Sequence, residues 1–402
     1  MEKLARIGFG VALALAALTV SAEAKFKVLH DFCETGTCAR TFSNAGLLID
    51  AAGNLYGATS DDGLHGKGTV FKLSRGRHNR WSYQVLHDFC SQASCTDGAN
   101  SRSGLVIDTA GNLFGTTFNG GATNMGTFFE VTAAGEYKVL YSFCPDTQNC
   151  SDGANPVGTL TYAGALSGVP YDGTSPLYGT AGGQSHNVVF SLTPSGDSWQ
   201  EAVAYNSPCT FCFPEGVVMD GAGKLYGVYS FDGEVYALTH TDQGWVRTSD
   251  GGMHGGSDPH GLLAIDAQGH LFGTTETGGG PQNGGTLYRL TPVVDTFVLK
   301  TLHNFGDQRD GRAPTSGVIL DDAGNLYGTA DFGSKFNGGS VYKLSGRKLS
   351  VLHAFCRHKK CLDGSTVLAP VVRDKDGNLF GMTTQGGAHG FGTLFEIMPD
   401  AP

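Results

Sequence analysis

Two histidines and an aspartate crowd into the segment Met253-His254-Gly255-Gly256-Ser257-Asp258-Pro259-His260. His254, Asp258 and His260 could ligate a metal, or one histidine could act as a general base. An ordinary flexible loop would carry the same residues with no such role. A second set is more regular. Asp97, Asp152, Asp310 and Asp363 each precede a glycine. They could line an acidic ring that holds calcium or a cationic group, or they could simply form Asp-Gly turns. His30, His87, His303 and His353 share one repeated position, which Tyr141 fills elsewhere. A position used that often suggests structure. Gly278-Gly279-Gly280 lacks the Lys-Ser/Thr of a phosphate loop, and no EF-hand calcium loop is present. No Ser/His/Asp order or paired carboxylate motif stands out. The reading therefore assigns no catalytic residue, no metal site and no cofactor.

The ten cysteines fall in five close pairs: Cys33/Cys38, Cys90/Cys95, Cys144/Cys150, Cys209/Cys212 and Cys356/Cys361. Four of the five pairs have four or five intervening residues, and no regular histidine partner follows, which favours disulfides over zinc. Residues 1–24 read as a signal peptide. Lys3 and Arg6 form its basic start, Val11 to Val20 its apolar core, and Ala22-Glu23-Ala24 a small-x-small cleavage pattern. The expected mature chain, residues 25–402, is secreted or periplasmic and has no membrane span. Its formal charge of −10 argues against nucleic acid as a partner.

These residues need a scaffold, and self-comparison supplies one. A module of the form G-L-x-x-D-x-x-G-N-L-Y-G-T-T, a glycine-rich gap and then G-T-V-F-K-L recurs seven times. Its first aromatic stands at Tyr56, Phe114, Tyr178, Tyr226, Phe272, Tyr327 and Phe380, each followed by glycine. Its second stands at Phe71, Phe129, Phe190, Tyr236, Tyr288, Tyr342 and Phe395. Each module reads as three strands, and a fourth follows in all but the last. Four strands per unit of about 54 residues is the size of a β-propeller blade. The last module lacks its fourth strand, while Phe26-Lys27-Val28-Leu29-His30-Asp31-Phe32 is a fourth strand with no module before it. The expected fold is all-β: one domain over 25–402, a seven-bladed propeller of four-stranded blades. The N-terminal strand completes the last blade, which closes the ring and removes its open edges. The aromatic pairs are expected to pack blades together, with the glycine allowing a neighbouring blade close.

The blocks Ser103–Val131, Gly317–Leu344 and Pro370–Ile397 carry Gly-Leu, Gly-Asn-Leu-Tyr-Gly-Thr-Thr and Gly-Thr-Val-Phe-Lys-Leu in variant forms. This pattern resembles the GloVer tandem-repeat family of exported bacterial proteins, and the resemblance covers nearly all of 25–402. It implies export and a propeller-like fold, and no catalytic residues can be carried over. Blade three departs through a longer hairpin around Val169-Pro170-Tyr171-Asp172-Gly173, and blade four through Gly227-Val228-Tyr229.

In a propeller, the strand-four-to-one and strand-two-to-three connections share a face. Here those are the cysteine loops and the glycine-rich gaps, the longest and most varied segments. The leading functional expectation is a monomeric binding module that uses this face for an extracellular or periplasmic ligand, a glycan or a protein. The alternatives are a carbohydrate-active hydrolase or lyase at the channel mouth, and a passive envelope protein.

Overall fold

The computed structural model describes residues 24–33, 46–182, 187–207, 213–231, 233–252, 256–306 and 309–398. Seven four-stranded antiparallel sheets follow one another around a ring, a seven-bladed β-propeller. Blade one comprises Leu48–Ile49, Leu55–Ala58, Thr69–Arg75 and Trp81–Asp88. Blade two spans residues 106–142, blade three 154–207, blade four 213–252, blade five 256–304 and blade six 319–354. Blade seven takes Val372–Arg373, Leu379–Met382 and Thr393–Met398 from one end of the chain and Lys25–Asp31 from the other. The two ends pair antiparallel, from Lys25 opposite Met398 to Asp31 opposite Thr393. This is the closure expected from the incomplete last module.

The apolar core is divided among the seams between blades. Tyr56, Ala58, Val70 and Phe89 of blade one cluster with Leu105, Leu113, Phe129 and Val131 of blade two. Phe32, Leu394 and Phe380 likewise join Leu47, Leu55 and Phe71 across the closure. The glycine after each first aromatic serves a different purpose from the expected one. A Cβ on Gly57 would lie 2.5 Å from the Phe71 ring, and one on Gly381 2.5 Å from the Phe395 ring. The second aromatic of the same blade lies across the glycine, so the contact is within a blade.

The paired threonines of the module also have a structural use. The second one bonds across to the threonine that opens the third strand, as in Thr117–Thr127 (2.8 Å) and Thr383–Thr393 (3.0 Å). On one face, the hairpin turns are held by their aspartate. Asp50 accepts from the backbone N–H of Ala52 and Asn54, and Asp108, Asp220, Asp266, Asp321 and Asp374 repeat the arrangement. The longer hairpin of blade three reaches back over blade two on this side. Buried Tyr171 donates its N–H to Ile107 and accepts from Thr109.

The innermost strands are unequal, and this shapes the other face. Those of blades one, two, six and seven have two residues each. Those of blades three, four and five are Ala154–Thr161, Phe213–Met219 and Gly256–Ile265. The three long strands contact one another around the axis, including blade three against blade five. They carry residues of the strand-four-to-one connection up to the channel mouth.

Candidate functional site

His260 is on one of these long strands. The segment around it was expected as a loop, but Gly256, Ser257, Pro259 and His260 pair with Gly278, Thr277, Thr275 and Thr274. The pairing fixes the imidazole between two carboxylates. Nδ1 lies 3.0 Å from Glu215 Oε1 of blade four, and Nε2 lies 3.1 Å from Glu276 Oε2 of blade five. Glu215 also accepts the Gly261 N–H. Burial alone would lower the histidine's pKa. The hydrogen bonds and charges of Glu215 and Glu276 outweigh that and lift it to about 9. At neutral pH His260 is an imidazolium bridging two blades.

Asp331 of blade six stands close enough for the charges of Glu276 and His260 to act on it. Its side chain is nearly inaccessible, and the Thr315 hydroxyl lies 2.8 Å from both carboxylate oxygens. Burial raises its pKa to about 8, with Glu276 adding to the rise and Thr315 opposing it. Glu215, His260, Glu276 and Asp331 thus draw on three consecutive blades.

The other side of the mouth is uncharged or paired. Asn100 donates to the Ser60 carbonyl (2.8 Å) and to Asp61 (3.1 Å), and Asn119 donates to Asn100 (3.1 Å). Asn155 donates to the Phe118 carbonyl (2.7 Å), and Arg102 lies 4.0 Å above the Phe118 ring. A belt of amides across blades one to three therefore faces a charged group on blades four to six. One depression of the described surface lies away from the mouth cluster, lined by His30, Asp31, Trp81 and Tyr83. The side chains of the mouth cluster and of the amide belt are polar.

The other residues singled out from the sequence are placed differently. His254 lies outside the described residues. Asp258 is skipped in the strand register, with φ +54°, and no hydrogen bond joins it to His260 among the described residues. Each of the four Asp-Gly aspartates is held by a side chain of the strand four that precedes it. Asp97 is fully buried, meets His87 Nε2 at 3.2 Å and accepts from Ser91 and Gln92. Asp310 meets His303 (2.7 Å), Asp363 meets His353 (3.1 Å), and Asp152 accepts from Tyr141 (2.7 Å) and the Cys144 N–H (2.9 Å). The rings of this repeated position also join blades. His87 stacks on Tyr137, His30 on Tyr83 and His353 on Phe26, with centroids 3.5–3.9 Å apart.

Disulfides join Cys90 to Cys95, Cys144 to Cys150 and Cys356 to Cys361, and Cys33 is also disulfide-bonded. Cys38, Cys209 and Cys212 lie outside the described residues. Among the described residues, no group of three or more His, Cys, Asp or Glu could hold a metal ion. Nor is any helix there long and apolar enough to cross a membrane.

Glu215, Glu276 and Asp331 were not found from sequence, although two of them left a signal. The residue after the module's Thr-Thr position is Ser60, Phe118, Gly182, Ser230 or Thr384 in five blades. It is an acid, Glu276 or Asp331, in two adjacent ones. Glu215 stands before the module glycine Gly216, where Ala45, Ser103 and Ser316 stand in other blades, and the fold brings it to His260.

The family model described as the Gloeobacter/Verrucomicrobia repeat matches residues 14–182 and 214–402. No curated protein matches the sequence. Among solved structures, the chain resembles a catalytically inactive virginiamycin B lyase from Staphylococcus aureus with quinupristin. That likeness has a TM-score of 0.58 at 11% identity, covering 94% of this chain and 99% of that one. It also resembles PorZ, a bacterial surface component of the type-IX secretion system of Porphyromonas gingivalis. There the TM-score is 0.55 at 14% identity, covering 89% of this chain and 47% of that one. At such identities these likenesses concern the fold.

Proposed function

The chain belongs to the Gloeobacter/Verrucomicrobia repeat family, and from that premise we propose that it is an exported binding module whose ligand docks on the channel mouth. The supporting observation is the meeting of Glu215, His260, Glu276 and Asp331 from three blades, opposite the amides Asn100, Asn119 and Asn155. Carboxylates and amides around one mouth suit a hydroxyl-rich or peptide ligand, which offers matching donors and acceptors along its length. Export rests on the signal-like residues 1–24 and on cysteine pairs suited to an oxidising compartment.

The test is a thermal-shift screen of residues 25–402 against oligosaccharides, peptides and divalent metals, repeated with Glu276→Gln and Asn100→Ala. The expected result is a stabilising glycan or peptide whose effect both variants weaken. Undiminished shifts in both variants would move the site away from the mouth. No shift from any compound would favour the passive envelope reading.

A second reading is acid–base catalysis by a hydrolase or lyase, and one observation favours it. His260 is a proton donor held between two carboxylates, beside an acid that titrates near neutral pH. Chemical change in a bound glycan, lost in His260→Gln, would select this reading. Recovery of the intact glycan would select binding alone.

A further inference from the structure

Three neighbouring loops on the mouth face carry a concentration of positive charge that the repeat itself does not require. Arg309 and Arg312 lie in the blade-five-to-six connection. Lys335 lies in the glycine-rich gap of blade six. Arg357, Lys359 and Lys360 lie within or beside the disulfide loop Cys356–Cys361, together with His358. All of these side chains are exposed. Every carboxylate among the described residues of the three loops is buried, namely Asp310, Asp331 and Asp363 at 7%, 2% and 3% exposure. The surface of this sector is therefore cationic on a chain of net charge −10.

Backbone bonds hold the loops together. Arg312 and Phe332 exchange N–H···O bonds of 2.9 and 3.2 Å, and Thr366 donates to the Gly338 carbonyl at 2.9 Å. The gap loop thus spans from Arg312 to the disulfide loop in six residue steps, at most about 23 Å. Exposed Phe332 is the bridge partner of Arg312 and precedes Lys335 by three residues.

The repeat provides an internal control. The loop Cys90–Cys95 has the same construction: a disulfide, a short helical turn, positive φ at both cysteines and the residue before the second, and an aspartate bonded to a strand-four histidine. Its residues are Ser91-Gln92-Ala93-Ser94, without any charge. Folding such a loop needs no lysine, so the positions of Lys359 and Lys360 are open to selection for something else.

We propose that Arg312, Phe332, Lys335, Lys359 and Lys360 form a binding surface for an acidic polysaccharide, separate from the mouth cluster. An exposed ring in a cationic sector can stack on a sugar face while ammonium and guanidinium groups meet carboxylates. The net charge of −10 disfavours a denser polyanion such as duplex DNA, with one charge per about 1.7 Å, more than a glycan with spaced carboxylates.

The test is binding of residues 25–402 to polygalacturonate, with neutral dextran and a single-stranded DNA oligonucleotide as comparisons, at low and high salt. The variant K359A/K360S installs the residues of the Cys90–Cys95 loop, and R312A probes the patch from another blade. The expected result is salt-sensitive binding of polygalacturonate, roughly fivefold weaker in each variant. Binding unchanged in both variants would overturn the proposal. So would equal binding of dextran, preferential binding of the oligonucleotide, or no binding at low salt. Variants at Glu276 and Asn100 should leave polygalacturonate binding intact, so failure of the mouth reading and failure of this one give different results.

Discussion

Replacing His260 with glutamine tests whether an imidazolium joins blades four and five. Glutamine keeps hydrogen-bonding capacity toward Glu215 and Glu276 but cannot carry charge. The histidine's pKa is raised from 6.5 to about 9 in the fold. A raised folded pKa stabilises fully below pH 6.5, and the stabilisation is lost as pH climbs to about 9. The separation of about 2.5 units corresponds to about 3.4 kcal/mol at 1.36 kcal/mol per unit. The side chain is 23% exposed, and solvent screening reduces this to about 2–3 kcal/mol. Unfolding entropy of about 2.1 cal/mol/K per residue gives about 0.8 kcal/mol/K for a domain of this size. The melting temperature of the wild-type protein minus that of His260→Gln should therefore be about 2.5–4 °C larger at pH 6 than at pH 9.5. Differential scanning calorimetry of both proteins across this range measures it, and groups that do not interact with His260 cancel. An equal difference at both ends would refute a charged bridge and leave His260 as packing alone.

Other consequences can be measured in the same way. Gly227→Ala would place a Cβ about 2.4 Å from the Tyr236 hydroxyl, and urea unfolding should show a loss of roughly 1–3 kcal/mol. Asp97→Ala removes the buried carboxylate that holds the Ser91 and Gln92 N–H groups and the His87 ring, and should cost about 1–3 kcal/mol while leaving mouth ligands bound. Deleting residues 25–31 strips the outer strand from Thr393–Met398 and should lower the melting temperature of the whole ring; an unchanged value would contradict closure by this strand. Unfolded without reductant, the chain should show no titratable thiol, and several would break the five-pair assignment.

The fold was legible because it is stated seven times. One aromatic-glycine pair could mean many things, but Tyr56-Gly57 and its six counterparts fix a strand and its neighbour in every blade. The missing fourth strand after Ile397 pointed directly to residues 26–32. Repetition by itself does not mark a site. Asp97, Asp152, Asp310 and Asp363 attracted attention by recurring, yet each answers to the histidine or tyrosine of the preceding strand. The mouth residues are irregular. His260 was noticed, but its partners Glu215 and Glu276 stand 45 and 16 residues away, and Asp331 lies in a third blade. No local pattern specifies that meeting, because it depends on where three inner strands end around the axis. The same reasoning separates Lys359 and Lys360 from Ala93 and Ser94. Positions that agree across blades are explained by packing and capping. Positions that break agreement need another reason: Tyr171 and Tyr229 are buried in the core, whereas Glu276 beside Asp331 and the basic loop that follows blade six lie on the mouth face.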